Sequence, residues 1–313
     1  MLAYPIGLEK QAAAPVWSRE TEKGQAVPDD IRHPGPIVTI SPERVAVITF
    51  NEIPASNPTF KYDILGQMAI ENRRRYCARH GYHFIHDVPI ARDRPACWAK
   101  IPAMLAAFET HEWVLWVDSD VLAASMDRGI EPYLNPACDL ITQKHDRYHE
   151  LLGIPAAEGT RRMPINTGVF LMRATAWSRD FLSRAYDETA FVTHGPVWDG
   201  IGEQEAMIAL LHRAPQDLRR IGYVDLLQAP PRFYQPGCLF LHFYGNRAMH
   251  IVPPSICDEV LARWDRAVRN GDDLPADLAR FHWCCIQNKE TADPAAGGGP
   301  GRYLYRLTDI ATP

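Results

Sequence analysis

Between residues 43 and 120 the sequence switches repeatedly between two periods, and that alternation limits the fold more than any other feature. Val45-Ala46-Val47-Ile48-Thr49-Phe50 is an unbroken apolar, β-branched run, as in a strand buried on both faces. Tyr62 to His80 follows with helical spacing: Ile64, Leu65, Met68, Ile70 and Tyr76 are apolar, and Glu71, Arg74 and Arg75 lie opposite. Gly81 stops that helix. Tyr82-His83-Phe84-Ile85 reads as a second strand. Trp98 to Glu109 reads as a second helix, with Ile101, Met104, Leu105 and Phe108 on one stripe. Trp113-Val114-Leu115-Trp116-Val117 is a third strand, ending directly in Asp118. Strand, helix, strand, helix, strand predicts an α/β domain with a mostly parallel central sheet flanked by helices. Further strands are expected at 139–142, 168–172, 221–224 and 239–243, and helices at 176–186, 203–212 and 255–269.

Residues 1–42 interleave Pro, Gly and charge without a lasting period and read as a partly irregular N-terminal extension. Pro294 to Gly301 reads as a flexible linker. The domain is therefore placed at 43–290, with 291–313 as linker and tail. The net charge of -5 gives no global basic field, so nucleic acid is not an expected partner. Seven cysteines, odd in number and irregularly spaced, fit reduced thiols in a cytoplasmic protein. His282 with Cys284-Cys285 reads as a small apolar patch, since zinc sites use spaced ligand pairs. No stretch has the length and apolarity of a signal peptide or a spanning helix.

The end of the third strand is where chemistry is expected. Ligands of open α/β sheets bind beyond the carboxyl ends of strands. Alternation along an extended Asp118-Ser119-Asp120 would put both carboxylates on one side, with Ser119 facing away. Two hard oxygen ligands suit Mg²⁺ or Mn²⁺, which also take phosphate oxygens. An Asp-x-Asp arises by chance about once in a chain of this size. Two aspartates capping a loop are thus the competing reading. A second apolar run, Leu239 to Phe243, carries His242 and leads to Gly245 and Arg247. An imidazole beside two carboxylates would favour Mn²⁺. Gly245 would allow close approach to a phosphate, and Arg247 could bond diphosphate oxygens. Taken alone, His242 reads better as a merely hydrogen-bonded buried histidine.

Several ordered segments resemble a known group. They are Trp98-Ala99-Lys100-Ile101, Trp113 to Asp120, Asn166-Thr167-Gly168-Val169-Phe170-Leu171-Met172-Arg173, Glu203-Gln204 and His242-Phe243-Tyr244-Gly245. In this order they resemble the galactosyl, xylosyl and mannosyl transferases of glycosyltransferase family 34, over about residues 43–265. The resemblance implies a GT-A fold, a nucleotide-sugar donor (UDP- or GDP-sugar), a glycan or glycolipid acceptor, and transfer of a hexosyl or pentosyl group with retention. It implies Asp118, Asp120 and His242 as ligands of Mn²⁺ or Mg²⁺. Lys100, Ser119, Gly245 and Arg247 join the donor-binding set, Arg247 standing where the family has a diphosphate-binding lysine. Asn166, Thr167 and Gly168 would border the donor sugar, Thr49 and Asn51 would contact the nucleotide, and Gln204 with Glu203 would lie near the anomeric carbon. Eukaryotic members carry an N-terminal membrane anchor. This chain shows none, and a cytoplasmic place, with peripheral association at the inner membrane face left open, is expected.

Retention can follow from a covalent glycosyl-enzyme or from departure and attack on one face. Gln204 is a poor nucleophile, so the second route is favoured, and Glu203 is the nominee for the first. Asp199, beside Trp198 and between Gly195 and Gly200, reads as part of a mobile binding loop and joins the catalytic candidates. His145 and His149, with Asp146 and Glu150 interleaved, read as an acceptor-side segment. Arg73, Arg74 and Arg75 read as a solvated helix side, with membrane attraction the lesser alternative. Two other functions compete: a non-catalytic binding module of the same fold, and a metal-dependent nucleotidyltransferase or phosphohydrolase. The second leaves Asn166 and Glu203-Gln204 without a role.

Overall fold

The computed structural model describes residues 40–51, 66–91, 93–143, 164–192, 202–229 and 237–243, with eight residues between 263 and 273. All of them lie in one compact unit, Ile31–Pro313. The expected extension up to residue 39, the linker and tail, and the segments holding His145, His149, Trp198, Asp199, Gly245, Arg247, His282, Cys284 and Cys285 lie outside the described residues. So does most of the expected helix at 255–269.

A six-stranded sheet forms the centre, in the order β2-β1-β3-β6-β5-β7. Its strands are β1 (Val45–Ile48), β2 (His83–Ile85), β3 (Trp113–Val117), β5 (Leu140–Thr142), β6 (Val169–Arg173) and β7 (Ile221–Tyr223). β1 pairs in parallel with β2 and β3, and β5 with β7. β6 runs antiparallel between β3 and β5, so the sheet is mixed. A second sheet, in the order β4-β9-β8, is built from β4 (Val121–Ala123), β8 (Gln228–Ala229) and β9 (Phe240–His242). β4 and β8 have no counterpart in the sequence reading.

Helix α1 (Gly66–His80) ends at Gly81, whose φ of 77° is the left-handed turn that glycine adopts without steric cost. The expected second helix begins as a 3-10 turn at Ala96–Ala99 and continues as α2 (Lys100–Ala107), with Pro102 tolerated in its first turn. α3 (Ala176–Tyr186) starts at Thr175, whose hydroxyl accepts from Ser178 N at 3.2 Å. α4 (Glu203–Arg213) follows Gly202.

The strands sort their side chains by the two-residue period. Ala46, Ile48, Val114, Trp116, Phe170 and Met172 face a core covered by α2, α3 and α4. Val45, Val47, Trp113, Leu115, Val117, Val169 and Leu171 face a second core with Tyr76 of α1 and Phe240 of the small sheet. Both faces are thus closed, which explains why β1 and β3 read as unbroken apolar runs. Trp98, Trp113 and Trp116 are completely buried. Truncating any one to alanine should cost about 3–5 kcal/mol. Among the described residues no helix is long and apolar enough to cross a membrane.

Candidate functional site

The segment Asp118–Asp120 is a turn joining the two sheets, not an extended continuation of β3. Strand alternation therefore does not bring the two carboxylates together; the turn does. Each end of the turn is tied to one sheet. Asp118 N donates to Gly168 O at 2.8 Å, prolonging the β3–β6 ladder, and Phe243 N donates to Asp120 O at 2.9 Å, prolonging β4–β9. Val121 pairs with His242, so the register of the small sheet sets the imidazole beside the turn.

Asp118, Asp120 and His242 each offer a ligand atom, all within 4.8 Å of one another. His242 Nε2 lies 3.4 Å from Asp120 Oδ1. Burial raises the Asp118 carboxyl above its usual range; Lys100 opposes this, Asp120 adds to it, and His242 opposes it. Two carboxylates and an imidazole this close together form a donor set that can hold a divalent ion. Ser119 is half-buried in the same turn.

Two buried cations brace the turn. The sequence reading puts Arg73 on a solvated helix side with Arg74 and Arg75, and the structure corrects this. Arg73 is completely buried, whereas Arg74 stays exposed and Arg75 half-buried, both paired with Glu71. The Arg73 guanidinium donates to Thr49 Oγ1, to Asp118 O at 2.6 Å and to Val121 O at 2.5 Å. It thereby links the end of β1 to both flanks of the acidic turn. Burial pushes it down to about 9, against the pull of Asp120 and Asp118, and it remains charged at neutral pH. A continuous polar run, Arg73-Arg74-Arg75, hides this in the sequence. One signal was available: position 73 lies three residues before Tyr76, on the apolar side of the helix.

Lys100 is the second cation. Its Nζ lies 2.5 Å from Glu203 Oε1 and 3.3 Å from Asp118 Oδ1, and donates to Thr167 O at 2.9 Å. Burial works to lower its pKa, but Asp118 and Glu203 outweigh that and hold the ammonium above its ordinary value. Trp116 Nε1 also donates to Asp118 Oδ1, at 2.6 Å.

The remaining predicted residues divide by surroundings. Thr49 is buried and turned to Arg73, while Asn51 is half-buried against Gly66. Asn166 Oδ1 accepts from Gly168 N at 2.9 Å and from Gln228 Nε2 at 3.0 Å. Thr167 N donates to Gln204 Oε1 at 3.0 Å, which joins the 166–168 segment to the start of α4. Gly168 leaves room for a neighbour: a Cβ there would stand 2.1 Å from His242 Cε1. Gln204 is half-buried, whereas Glu203 is buried. Gln228 did not figure among the sequence candidates, yet it bonds to both Asn166 and His242. No residue type or spacing in the sequence marks it.

The chain has known relatives. The chain belongs to the galactosyl transferase GMA12/MNN10 family, whose model matches residues 41–278. The α/β domain of the GT-A type expected for that family is the fold adopted. Among curated proteins, a rice protein called probable glycosyltransferase 6 (Oryza sativa subsp. japonica) is 31% identical over 144 residues, 45% of this chain and 28% of its own length. An uncharacterized alpha-1,2-galactosyltransferase of Schizosaccharomyces pombe is 28% identical over 213 residues, 56% of this chain and 55% of its own. The chain thus spans from about a quarter to about half the length of these relatives. Among solved structures, a glycosyltransferase involved in glycosylation of the major capsid of PBCV-1 aligns with a TM-score of 0.47 at 18% identity, over 72% of this chain and 98% of that one.

Proposed function

We propose that this chain is a retaining glycosyltransferase, moving a hexosyl or pentosyl group from a UDP- or GDP-sugar to a glycan or glycolipid acceptor, with Mn²⁺ or Mg²⁺ at the donor diphosphate. One observation carries the reading: Asp118, Asp120 and His242 converge within 4.8 Å at the carboxyl end of β3, in a member of this family. Two carboxylate oxygens and an imidazole nitrogen fit such an ion, and the imidazole favours Mn²⁺. When bound there, the ion supplies neutralisation of charge on a departing diphosphate.

The chain's own residues do the positioning. Arg73 fixes the backbone of the acidic turn from below, and Lys100 fixes the Asp118 side chain. Gln204, half-buried and held through Thr167, is the residue we assign to the sugar. Glu203 is buried and committed to Lys100, which argues against its attack on an anomeric carbon. Same-face departure and attack, which needs positioning and charge stabilisation only, fits this better. Asp199 stays among the catalytic candidates, Gly245 and Arg247 in the donor-binding set, and His145 and His149 on the acceptor side. We place the domain at 43–290 and the protein in the cytoplasm.

Thermal unfolding with Mn²⁺ and a panel of UDP- and GDP-sugars tests the proposal. A nucleotide sugar at 100 times its Kd should stabilise the wild type by about 2.7 kcal/mol, and Asp120→Ala should lose that response. If no nucleotide raises the midpoint, or the variant responds like wild type, the proposal fails.

A further inference from the structure

We infer that Gln228 is a positioning residue that fixes the tautomer of His242, holding Nδ1 protonated so that the Nε2 lone pair faces Asp120. This rests on the metal reading proposed above. Two groups beside these amides have hydrogen-bonding roles that cannot be exchanged. The Gly168 peptide N–H can only donate, so the side-chain atom of Asn166 facing it at 2.9 Å is its oxygen. The Val169 carbonyl can only accept, so the side-chain atom of Gln228 facing it at 3.2 Å is the NH₂ group. That same NH₂ reaches Asn166 Oδ1 at 3.0 Å, so the two constraints agree. The other end of the Gln228 amide is then its oxygen, and it lies 2.8 Å from His242 Nδ1. An amide oxygen has no proton to give, so the imidazole must donate from Nδ1. In the neutral ring this leaves Nε2 as the lone pair, on the side of Asp120 at 3.4 Å.

The geometry is built into the fold. Gln228 is opposite Phe240 in the parallel β8–β9 pair, so His242, two residues on, projects from the same face. Gln228 N donates to Gln143 Oε1 at 2.9 Å, holding the short strand in place. Gly168 makes room for the ring, which occupies the space a Cβ would take. Gln228, Asn166 and His242 are all buried, so water competes little for these bonds. The Asn166–Gly168 segment and His242 are therefore coupled through one amide.

The test uses the full chain with Mn²⁺ alone as probe. Long-range ¹H–¹⁵N correlation on the metal-free wild type, at a pH where His242 is neutral, reads the tautomer directly. The expected pattern is a protonated Nδ1 and a bare Nε2; a protonated Nε2 overturns the inference, whatever the variants do. Water-proton relaxation then measures Mn²⁺ affinity. Gln228→Met, which keeps length and volume, should weaken Mn²⁺ about 10-fold or more and mix the tautomers. Gln228→Glu, which restores an acceptor to Nδ1, should recover part of the affinity. If His242→Ala leaves Mn²⁺ binding unchanged, the metal reading itself is wrong. If His242→Ala weakens binding but Gln228→Met does not, the metal reading stands and the role of Gln228 is refuted.

Discussion

The Lys100 ammonium and the Glu203 carboxylate lie 2.5 Å apart, and both side chains are closed off from solvent. Asp118 makes this pair a triad, 3.3 Å from the same ammonium. Lys100→Met strands the buried carboxylate of Glu203, and breaking such a pair costs about 3–5 kcal/mol. The double variant Lys100→Met/Glu203→Gln should cost clearly less than the sum of the singles. Denaturant unfolding of the four proteins gives the coupling, and additive costs would count against the pairing.

The same lysine predicts a pH dependence. Its folded pKa is raised, so in the interval above its unfolded value the folded state holds more protons than the unfolded state. The stability it contributes is fully present below about 10.4 and is lost as pH rises through the folded value. Alkaline titration of unfolding should show this loss in wild type and a shallower decline in Lys100→Met. Equal slopes in the two proteins would refute it.

Gly168→Ala should displace the His242 ring, since the new Cβ would stand 2.1 Å from its Cε1. Overpacking of this kind costs about 1–3 kcal/mol. Mn²⁺ affinity should fall together with stability. A variant that loses neither would mean that the ring is free to move.

Arg73→Met leaves Thr49 Oγ1 and the Asp118 and Val121 carbonyls without their donor. Buried acceptors left unmade cost about 1–3 kcal/mol each, so a loss of at least ~3 kcal/mol is expected. Arg74→Met, on the exposed side of the same helix, should change stability by less than about 0.5 kcal/mol. Comparing their unfolding midpoints separates a buried brace from a solvated charge.

Thr175→Ala serves as a control distant from the acidic turn. The Thr175 hydroxyl caps α3 and donates to Asp139 Oδ1 at 2.9 Å. Its removal should cost about 0.5–2 kcal/mol and leave Mn²⁺ binding unchanged. Weakened metal binding would show that helix placement reaches the site.

Much of this fold can be read along the chain. The helix expected at 176–186 is α3 to the residue, and Thr175 caps its start. The unbroken run 113–117 gives β3, because both of its faces are buried. The antiparallel course of β6 and the existence of a second sheet are not readable this way. Strand direction leaves no mark in a five-residue pattern, and which strands pair into a second sheet depends on contacts between distant segments.

For the site, the sequence by itself determined which side chains were chemically able to hold a cation: Asp118 and Asp120 at a strand end, and His242 in a distant apolar run. Only the tertiary structure decided that they meet. The β4–β9 register sets Val121 against His242, although more than a hundred residues separate the two in the chain. The placement of Arg73 and Lys100 at the acidic turn, and of Gln228 against His242, likewise came only from the tertiary structure, because a charge or an amide in a sequence carries no sign of whether water or protein surrounds it. The physical reason is common to all of them. Periodicity is a property of one element, whereas a site arises from the distances between elements, and those are set by which faces pack.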